Sequence, residues 1–342
     1  STVREIRFLT TVQRGFRMPI PFLYLGTLLY WAMGRFATRA PAYLSRLALA
    51  RRDKRISLET AQGGFEYSDC YLHDNDTRFV FSFVRTAMDY GAVAANYVSA
   101  TAANFQGGRW QITVRDEIDG RAFDIGCDIL INACGPEVDF FNAHAAQETR
   151  HRHVFSKGVH LIVDRIVDSA RILTFFASDG RMFFVIPMGP KTCIGTTDTE
   201  VSDPNVAVTD EDREFILNNA NEMLSLAQPL TVADIIAERC GVRPLVVSGH
   251  SVGANWVELS RKHEIEVHDI SKHISIFGGK LTDCLNVGEE IVSRVSELGL
   301  RFRVSGQRWY GEPERRIKEQ FLVQARLLEL DEMTDPRSCE PL

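Results

Sequence analysis

The sequence predicts an α/β fold with two layers, because its apolar segments follow two different patterns. Residues 128–136, "DILINACGP", form a nearly unbroken apolar run that ends at a glycine, which is typical of a strand buried on both faces of a parallel sheet. Residues 159–195 instead contain short apolar runs separated by the turn dipeptides Asp179–Gly180 and Gly189–Pro190, which favours an antiparallel sheet. With 342 residues, 45% of them hydrophobic, the chain is long enough for two cores.

The strands of the first layer are expected at residues 93–98, 110–114 and 123–132, the last of which leads into the glycine turn. Ligands collect at the carboxyl ends of parallel strands of this kind. After the antiparallel layer, two short strands are expected around Ile235 and Val257. They lead to a last apolar strand that begins at Ile274.

Four segments carry helix signals. Asp76 and Thr77 precede apolar residues at helical spacing that end before Gly91, so both ends of an amphipathic helix are marked. Thr209 with Asp212 opens a second helix that has an apolar stripe. We expect a third helix from Thr282 and a fourth in the charged tail, over residues 312–330.

The stretch from Met18 to Gly34, "MPIPFLYLGTLLYWAMG", has no charged residue. Arginines 14, 17, 35 and 39 flank it. A membrane-spanning helix is disfavoured, because the stretch is shorter than the roughly 20 residues that a span needs and two prolines disrupt its first turn. Two alternatives remain open: a helix buried beneath another element, which is the ordinary expectation, and a helix in the membrane interface with its arginines on lipid head groups.

The overall charge restricts the partners. A net charge of -6 and a pI of about 5.9 exclude a broadly basic face for nucleic acid, whereas small anionic substrates stay open. The seven cysteines are odd in number and show no CxxC or Cys/His spacing, so neither a disulfide framework nor a zinc site is expected. No secretory signal pattern opens the sequence, and we expect a reducing, cytoplasmic location.

A double glycine at the end of a strand marks the most informative stretch, "ISIFGGKLTDC", at residues 274–284. Without Cβ atoms, Gly278 and Gly279 let the backbone approach a flat ligand, and the following helix directs N–H groups and its positive dipole end to the same place. Lys280 adds a full positive charge. This combination suits a group that gains negative charge, such as the pyrimidine edge of a reduced flavin. The alternative is a tight turn beside a solvated lysine.

Six segments in order carry a resemblance to a known family: "GFEYSDC" (64–70), "INACGP" (131–136), "SKGVHLIV" (156–163), "CIGTTDT" (193–199), "GVRPL" (241–245) and "FGGKLT" (277–282). Together they resemble the FAD-dependent glycerol-3-phosphate dehydrogenases, within the D-amino-acid-oxidase-like flavoproteins. The resemblance implies an α/β fold in which an FAD-binding Rossmann-like domain, here incomplete, is interleaved with an antiparallel-sheet substrate domain, the cap.

The same resemblance divides the chain into five segments. Residues 1–67 form a cap segment with the apolar helix, 68–139 a part of the FAD-binding domain, 140–254 the substrate domain, 255–310 a second part of the FAD-binding domain, and 311–342 the start of a C-terminal helical region. The implied activity is oxidation of sn-glycerol 3-phosphate to dihydroxyacetone phosphate by hydride transfer to flavin N5. Membrane quinone is the implied electron acceptor, with peripheral contact at the inner face of the cytoplasmic membrane.

Three residues match positions that the family places around substrate and flavin: His160, Arg243 and Lys280. Oxidising an alcohol at C2 requires removal of its hydroxyl proton, for which a neutral imidazole such as His160 is suited. Arg243 is expected to bind phosphate or the developing alkoxide in a forked geometry, and Lys280 to stabilise reduced flavin or help hold phosphate. The alternatives are a hydrogen-bonded core histidine and a structural ion pair of the arginine.

For FAD binding, the resemblance indicates the strand end at Val98, the turn at Ala133 and Gly135, and the bend with its helix start, Gly278, Gly279, Lys280, Leu281 and Thr282. We interpret residues 196–198 as a shaped turn of the substrate sheet and assign Thr196, Thr197 and Asp198 no catalytic role.

The sequence also departs from the family. It contains no GxGxxG turn, so we expect Ser1 to lie within the family's first cap segment and the chain alone to bind FAD weakly or not at all. Asp283 follows the bend where the family often has threonine, which puts a negative charge near the flavin edge. Two alternatives remain open: a related flavoenzyme that uses oxygen or acts on another hydroxy or amino acid, and a non-catalytic membrane-surface or partner-binding protein.

Overall fold

The computed structural model describes residues 3–16, 18–72, 75–177, 179–248, 262–302 and 315–327. The expected strand around Val257 and the flanking Arg17 lie outside these residues. The helices within the described ranges are α1 (Ile20–Met33), α2 (Arg46–Arg52), α3 (Asn75–Asp89), α4 (Val138–His144), α5 (Asp210–Met223), α6 (Cys284–Glu297) and α7 (Arg315–Leu327).

The described strands, in chain order, are β1 (Val3–Gln13), β2 (Ala42–Ser45), β3 (Ala61–Leu72), β4 (Val98–Gln106), β5 (Arg109–Asp116), β6 (Ala122–Cys127), β7 (Leu130–Asn132), β8 (His151–Asp164), β9 (Ile172–Phe176), β10 (Met182–Met188), β11 (Lys191–Gly195), β12 (Thr199–Val201), β13 (Ala237–Ser248), β14 (His263–His268) and β15 (His273–Gly278). They form one large sheet and two small ones.

The large sheet has the order β12-β8-β11-β10-β9-β1-β3-β2, and β13 also pairs with β8. β1 and β9 run parallel, whereas the other described pairs of this sheet are antiparallel. The predicted antiparallel layer is therefore confirmed. One face of the sheet packs its buried side chains, among them Val159, Leu161 and Phe183, against Ile216 and Ala220 of α5. Strand alternation leaves the other face for the residues of the candidate site.

The parallel layer is formed by β7 and β15, which pair in parallel from Leu130 opposite His273 to Asn132 opposite Ser275. β14 pairs antiparallel with β15 on its other side. The second small sheet is the antiparallel meander β4-β5-β6. Buried Trp110 joins the two small sheets, because its indole N–H donates to the main-chain oxygen of Ser271 at 2.6 Å.

Two predicted strands are wrong in their extent. Residues 93–97 form no strand, and Val93 is 96% exposed; β4 begins only at Val98. No strand among the described residues pairs with 93–97, although the Tyr97 carbonyl accepts the Glu117 N–H at 2.8 Å. An apolar run gains little from an extended conformation without a strand to pair with. The expected strand over 123–132 is two strands in different sheets. The break includes Asp128, whose carboxylate forms an ion pair with Arg109 at 2.8 Å.

The helix predictions agree with the structure where the signals are local. Thr209 caps α5 and forms the reciprocal pair of hydrogen bonds with Asp212. α3 begins at Asn75, one residue before the predicted start signal, and α7 lies within its predicted range. α6 begins at Cys284, two residues after the predicted start at Thr282, and follows a 3₁₀ turn over Leu281–Asp283. The strand expected around Ile235 begins at Ala237 and runs for 12 residues, so it is longer than predicted.

The uncharged stretch forms α1, and the N-terminal end of this helix packs against the large sheet. Ile20 is its buried residue, whereas Phe22 is 65% and Met33 83% exposed. The expectation of a helix buried beneath another element is therefore wrong for the described residues. In the part of the chain that the structure describes, no helix combines the length and apolar character needed to cross a bilayer.

Candidate functional site

The open face of the large sheet brings the sequence-predicted cations and histidine together. Val159 and Leu161 point into the core with α5, so alternate residues Ser156, Gly158 and His160 of β8 lie on the opposite face. β13 pairs with β8 and places Arg243 opposite Ser156 and Arg239 opposite His160. Directly paired residues share a face, which puts both arginines beside the histidine.

His160 is neutral in this setting. Burial lowers the pKa of its imidazole to about 4, and the charges of Arg243 and Arg239 contribute further in the same direction. Gly195 of β11 pairs with His160, and a Cβ at Gly195 would lie 2.9 Å from the His160 ring carbon Cδ2. The glycine thus leaves room for the imidazole on the sheet.

Arg243 is held in a defined position over the sheet. A Cβ at Gly158 would meet the Arg243 guanidinium at 2.8 Å, so the guanidinium lies directly over this glycine. The Arg243 Nη1 atom also lies 3.5 Å from Oδ1 of Asp198. Buried Ser156 donates its hydroxyl to the same carboxylate oxygen.

Asp198 is in turn fixed from its other side. The guanidinium of Arg181 donates to the Asp198 main-chain oxygen and stacks over the Phe215 ring, 5.4 Å from its centroid. Residues 196–198 were expected to shape a turn only; the structure also places the Asp198 carboxylate against Arg243. We therefore regard Asp198 as a positioning residue for Arg243.

Two glycines form the floor between these side chains. Gly158 and Gly241 pair directly across β8 and β13, one with the Arg243 guanidinium above it. A Cβ at Gly241 would meet nothing within 4 Å, so the space above this residue is open. At these two glycines the candidate site face consists of backbone without side chains, and the side chains of His160, Arg239 and Arg243 border it.

The double glycine forms a bend that packs against the same sheet. Gly278 has φ +62° and Gly279 φ +95°, in the left-handed region that favours glycine. A Cβ at Gly278 would lie 2.4 Å from Cγ2 of Val246 on β13, so a side chain there would keep the bend away from the sheet. Lys280, Leu281 and Thr282 follow the bend and are exposed.

His153 attaches this bend to β8. Its Nε2 accepts the main-chain N–H of Gly278 at 3.1 Å, which requires the imidazole proton to be on Nδ1. Nδ1 faces Oδ2 of Asp139 at 3.2 Å, and the same carboxylate oxygen accepts the His153 main-chain N–H at 3.0 Å. Asp139 lies in α4, directly after the "INACGP" turn, so three distant segments meet at His153.

The "INACGP" turn is ordered by a buried asparagine. The Asn132 side chain donates to the main-chain oxygen of Val138 at 3.0 Å and accepts the main-chain N–H of Cys134 at 3.2 Å. Gly135 has φ +58°, and a Cβ there would meet nothing within 4 Å. Because β7 and β15 are parallel neighbours, Ala133 and Gly279 follow adjacent strand ends.

The chemistry of these two strand ends fits the pyrimidine edge and phosphates of a flavin nucleotide. The exposed bend offers first-turn N–H groups and an ammonium, and Gly135 offers backbone without a side chain. Val98 is placed apart in the topology, at the start of β4 opposite Asp116. The structure thus groups His160 with Arg243, and Ala133 and Gly135 with the bend residues.

The negative charge of Asp283 has a partner that the sequence did not reveal. Its Oδ2 lies 2.6 Å from Nδ1 of His263, and Asn286 donates to Oδ1 at 2.6 Å. The hydrogen bond to Asp283 raises the pKa of His263 despite partial burial, and the same bond lowers the pKa of Asp283. His263 Nε2 also lies 3.2 Å from Oε2 of Glu290, so the imidazole is shared by two carboxylates, and the charge of Lys280 further lowers the pKa of Asp283.

Two clefts lie elsewhere in the described part of the molecule. They have volumes of about 390 and 320 Å³, border β14 and share Arg150 and Glu266; the first extends to the end of α6 and the second to Gln147 and His273. Neither cleft is lined by His160, Arg243 or Lys280. The candidate site in the described residues is therefore an open sheet face next to a bend.

Sequence reasoning missed His153, Asp139, Ser156, Gly158, Arg239 and Gly241 as site residues. Arg239 carried a usable signal, because residues four apart on a strand share a face. Gly158 and Gly241 lie inside two of the quoted segments. His153 and its partner Gly278 are 125 residues apart, and no local pattern indicates that contact.

Comparison with known proteins matches the family model for FAD-dependent oxidoreductases, DAO, to residues 23–262. The chain is 34% identical over 294 residues to a glycerol-3-phosphate dehydrogenase of Mycobacterium leprae, covering 80% of this chain and 48% of that protein. It is 29% identical to an aerobic glycerol-3-phosphate dehydrogenase of Bacillus subtilis, covering 78% and 47%. The chain thus spans about half the length of these curated relatives.

Among solved structures, the glycerol-3-phosphate dehydrogenase of Bacillus halodurans complexed with FAD superposes with a TM-score of 0.72 and 26% identity. The superposition covers 98% of this chain and 61% of that one. A glycine oxidase of Geobacillus kaustophilus gives a TM-score of 0.59 at 15% identity, which is a likeness of fold alone. The predicted class of fold is confirmed by these matches.

Proposed function

The chain belongs to the family of FAD-dependent oxidoreductases, and we propose on this basis that its function is the oxidation of sn-glycerol 3-phosphate to dihydroxyacetone phosphate. One observation carries the proposal: a neutral histidine and a fixed arginine lie side by side on one sheet face, next to a glycine bend. The glycerol-3-phosphate dehydrogenases among its relatives support the choice of substrate.

His160 is proposed as the general base that takes the C2 hydroxyl proton. With a pKa of about 4 it is unprotonated at neutral pH, as a base must be. An anionic substrate bound by Arg243 would offset its charge and raise the pKa of His160 towards the range in which a base works well. Substrate binding would therefore make His160 a stronger base.

Arg243 is proposed to bind an oxygen of the substrate. Asp198 engages Nη1 of its guanidinium, and the planar fork has further N–H groups to offer to a phosphate or to the alcohol oxygen. Because the guanidinium is already held over Gly158, little side-chain entropy is lost on binding.

FAD, when bound, would supply the hydride acceptor, N5 of its ring system. Lys280 and the N–H groups at Leu281 and Thr282 are proposed to hold the pyrimidine edge, with Gly278 and Gly279 giving close approach. Ala133, Gly135 and Val98 are proposed to contact the rest of the dinucleotide. Asp283 is held by hydrogen bonds with His263 and Asn286 on the side of the helix start.

Membrane quinone is proposed as the final electron acceptor, with the chain on the cytoplasmic face of the membrane. The exposed apolar side chains of α1, among them Phe22, Leu29 and Met33, support peripheral contact with a bilayer. Binding to liposomes, compared between the chain and a Phe22→Ser/Leu29→Ser variant, tests this part. Equal binding of both would contradict it.

The test of the main proposal is flavin spectroscopy on the purified chain. Because the chain alone is expected to bind FAD weakly, FAD is added in excess. Flavin bound under these conditions is expected to be bleached anaerobically by sn-glycerol 3-phosphate but not by D-alanine or L-lactate. His160→Ala and Arg243→Ala are expected to slow bleaching by at least about a hundredfold. Arg109→Gln, a change in an exposed ion pair away from the site, serves as the matched control. Flavin that binds and that glycerol 3-phosphate leaves oxidised would refute the proposal.

A further inference from the structure

A second arginine on the sheet face has no role in the function proposed so far. Arg239 precedes Arg243 by four residues on β13, so both side chains project from the same face. Arg239 lies directly opposite His160 in the strand register and is exposed. Its charge contributes to the lowered pKa of His160, which places it within electrostatic reach of the imidazole.

The backbone between the two arginines is open to a ligand. Their Cα atoms are separated by about 13 Å along the strand, and Gly241 lies midway. A Cβ at Gly241 would meet nothing within 4 Å, and its cross-strand partner is another glycine, Gly158. Two long side chains can therefore close over a small group that rests on bare backbone.

The charges on this face favour a phosphate. Asp198 partly neutralises Arg243, and His160 is neutral, so Arg243 alone leaves the face with little net charge. A carboxylate can be satisfied by one bidentate arginine, whereas a phosphate dianion has three terminal oxygens and more charge to balance. Arg239 supplies the second full positive charge.

We propose that Arg239 is a substrate-binding residue that, with Arg243, holds a phosphate group above Gly241 and so selects phosphorylated alcohols over hydroxy acids. The proposal rests on the proposed function for the identity of the alcohol. It places the phosphate end of the substrate over Gly241, between the two arginines, and leaves the hydroxyl end to His160 on the paired strand.

The test uses the chain itself, labelled for NMR, with the His160 ring as the reporter. Dissociation constants are measured for sn-glycerol 3-phosphate, inorganic phosphate and L-lactate in the parent chain, Arg239→Gln, Arg239→Lys and the control Arg109→Gln. Arg239→Gln is expected to weaken binding of glycerol 3-phosphate at least about tenfold, the loss of one charge-assisted contact. Arg239→Lys is expected to recover part of it, because it keeps the charge and loses the fork.

A second readout needs no ligand. Removing the Arg239 charge is expected to raise the pKa of His160 in Arg239→Gln, whereas Arg239→Lys and Arg109→Gln leave it close to the parent value. Unchanged binding of glycerol 3-phosphate in Arg239→Gln, an equal loss for L-lactate, or no binding by the parent chain would overturn the proposal.

These measurements separate the two proposals. They require neither FAD nor turnover, so a chain that fails to reduce flavin still reports on Arg239. Conversely, normal flavin reduction at low glycerol 3-phosphate in Arg239→Gln would overturn the assignment of Arg239 and leave the proposed reaction intact. The chemical-shift dispersion in the NMR spectrum of each variant shows whether that variant is folded. If Arg239→Gln is not folded, Arg239→Lys provides the test.

Discussion

Gly278 donates its main-chain N–H to Nε2 of His153 across 3.1 Å, and this hydrogen bond joins the glycine bend to the large sheet. The His153 side chain has no exposed surface, so its Nε2 atom has no access to water as a substitute partner. The position of Lys280 relative to the sheet therefore depends on a histidine that lies in another strand.

Loss of His153 is expected to destabilise the chain and release the bend. His153→Ala leaves the Gly278 N–H without an acceptor and creates a cavity, which together cost about 3 kcal/mol in the free energy of unfolding. The measurement is urea unfolding, with amide hydrogen exchange at Gly278 as the local readout. His144→Ala, at an exposed histidine, is the control and is expected to change little. An amide at Gly278 that stays protected in His153→Ala would contradict the prediction.

Alanine is expected to be tolerated less well at position 278 than at position 279. Both residues have positive φ, which costs about 1–2 kcal/mol for alanine. A Cβ at Gly278 also lies 2.4 Å from Val246 Cγ2, whereas one at Gly279 lies 3.4 Å from His263 Cβ. Thermal unfolding of both variants should rank Gly278→Ala below Gly279→Ala. Adding Val246→Ala should raise the stability of Gly278→Ala but not that of Gly279→Ala. If Gly279→Ala is instead the less stable variant, packing against Val246 does not decide the difference.

Replacing Gly158 is expected to displace Arg243 without unfolding the sheet. The Cβ of Gly158→Ala would meet the guanidinium at 2.8 Å, and this flexible end can move away at little cost in stability. As Arg243 recedes, one cause of the lowered His160 pKa weakens, so that pKa should rise. NMR titration of His160 measures it. Gly241→Ala is the matched control, because its Cβ meets nothing within 4 Å; an equal shift in both variants would argue against the contact with Arg243.

The low pKa of His160 is expected to make the chain less stable in acid. As the pH falls from the ordinary value of 6.5, the unfolded chain takes up this proton first, so stability declines until the folded pKa of about 4 is reached. The contribution is at most about 3 kcal/mol. His160→Gln removes it, so the difference in unfolding free energy between parent and variant should shift in favour of the variant between pH 7 and pH 4. A difference that does not vary with pH would show that His160 titrates normally.

Local signals in the sequence predicted local structure well. Thr209 and Asp212 predicted the start of α5, because a helix cap involves residues only three positions apart. Residues 93–97 had the composition of a strand, but a strand also needs a neighbour, and none lies beside them in the described residues. Burial of α1 failed as a prediction for the same reason, since hydrophobicity does not specify what covers a helix.

The sequence predicted the charged residues of the candidate site but not the residues that hold them in place. The quoted segments identified His160 and Arg243, which the strand register then placed side by side. Asp198 lay within one of these segments, yet its contact with Arg243 spans 45 positions and depends on the pairing of β12 with β8. Only the assembled sheet could show that Gly158 and Gly241 are paired.

The contact between His153 and Gly278 closes a loop of 125 residues, which has a consequence for the order in which the chain folds. Closing so long a loop is entropically unfavourable until much of the intervening chain is compact. Folding rates fall as contacts become more distant in sequence. The bend should therefore dock late, after the hairpins of the large sheet have formed, and a nascent chain would acquire its arginines and histidine before it acquires the glycine bend.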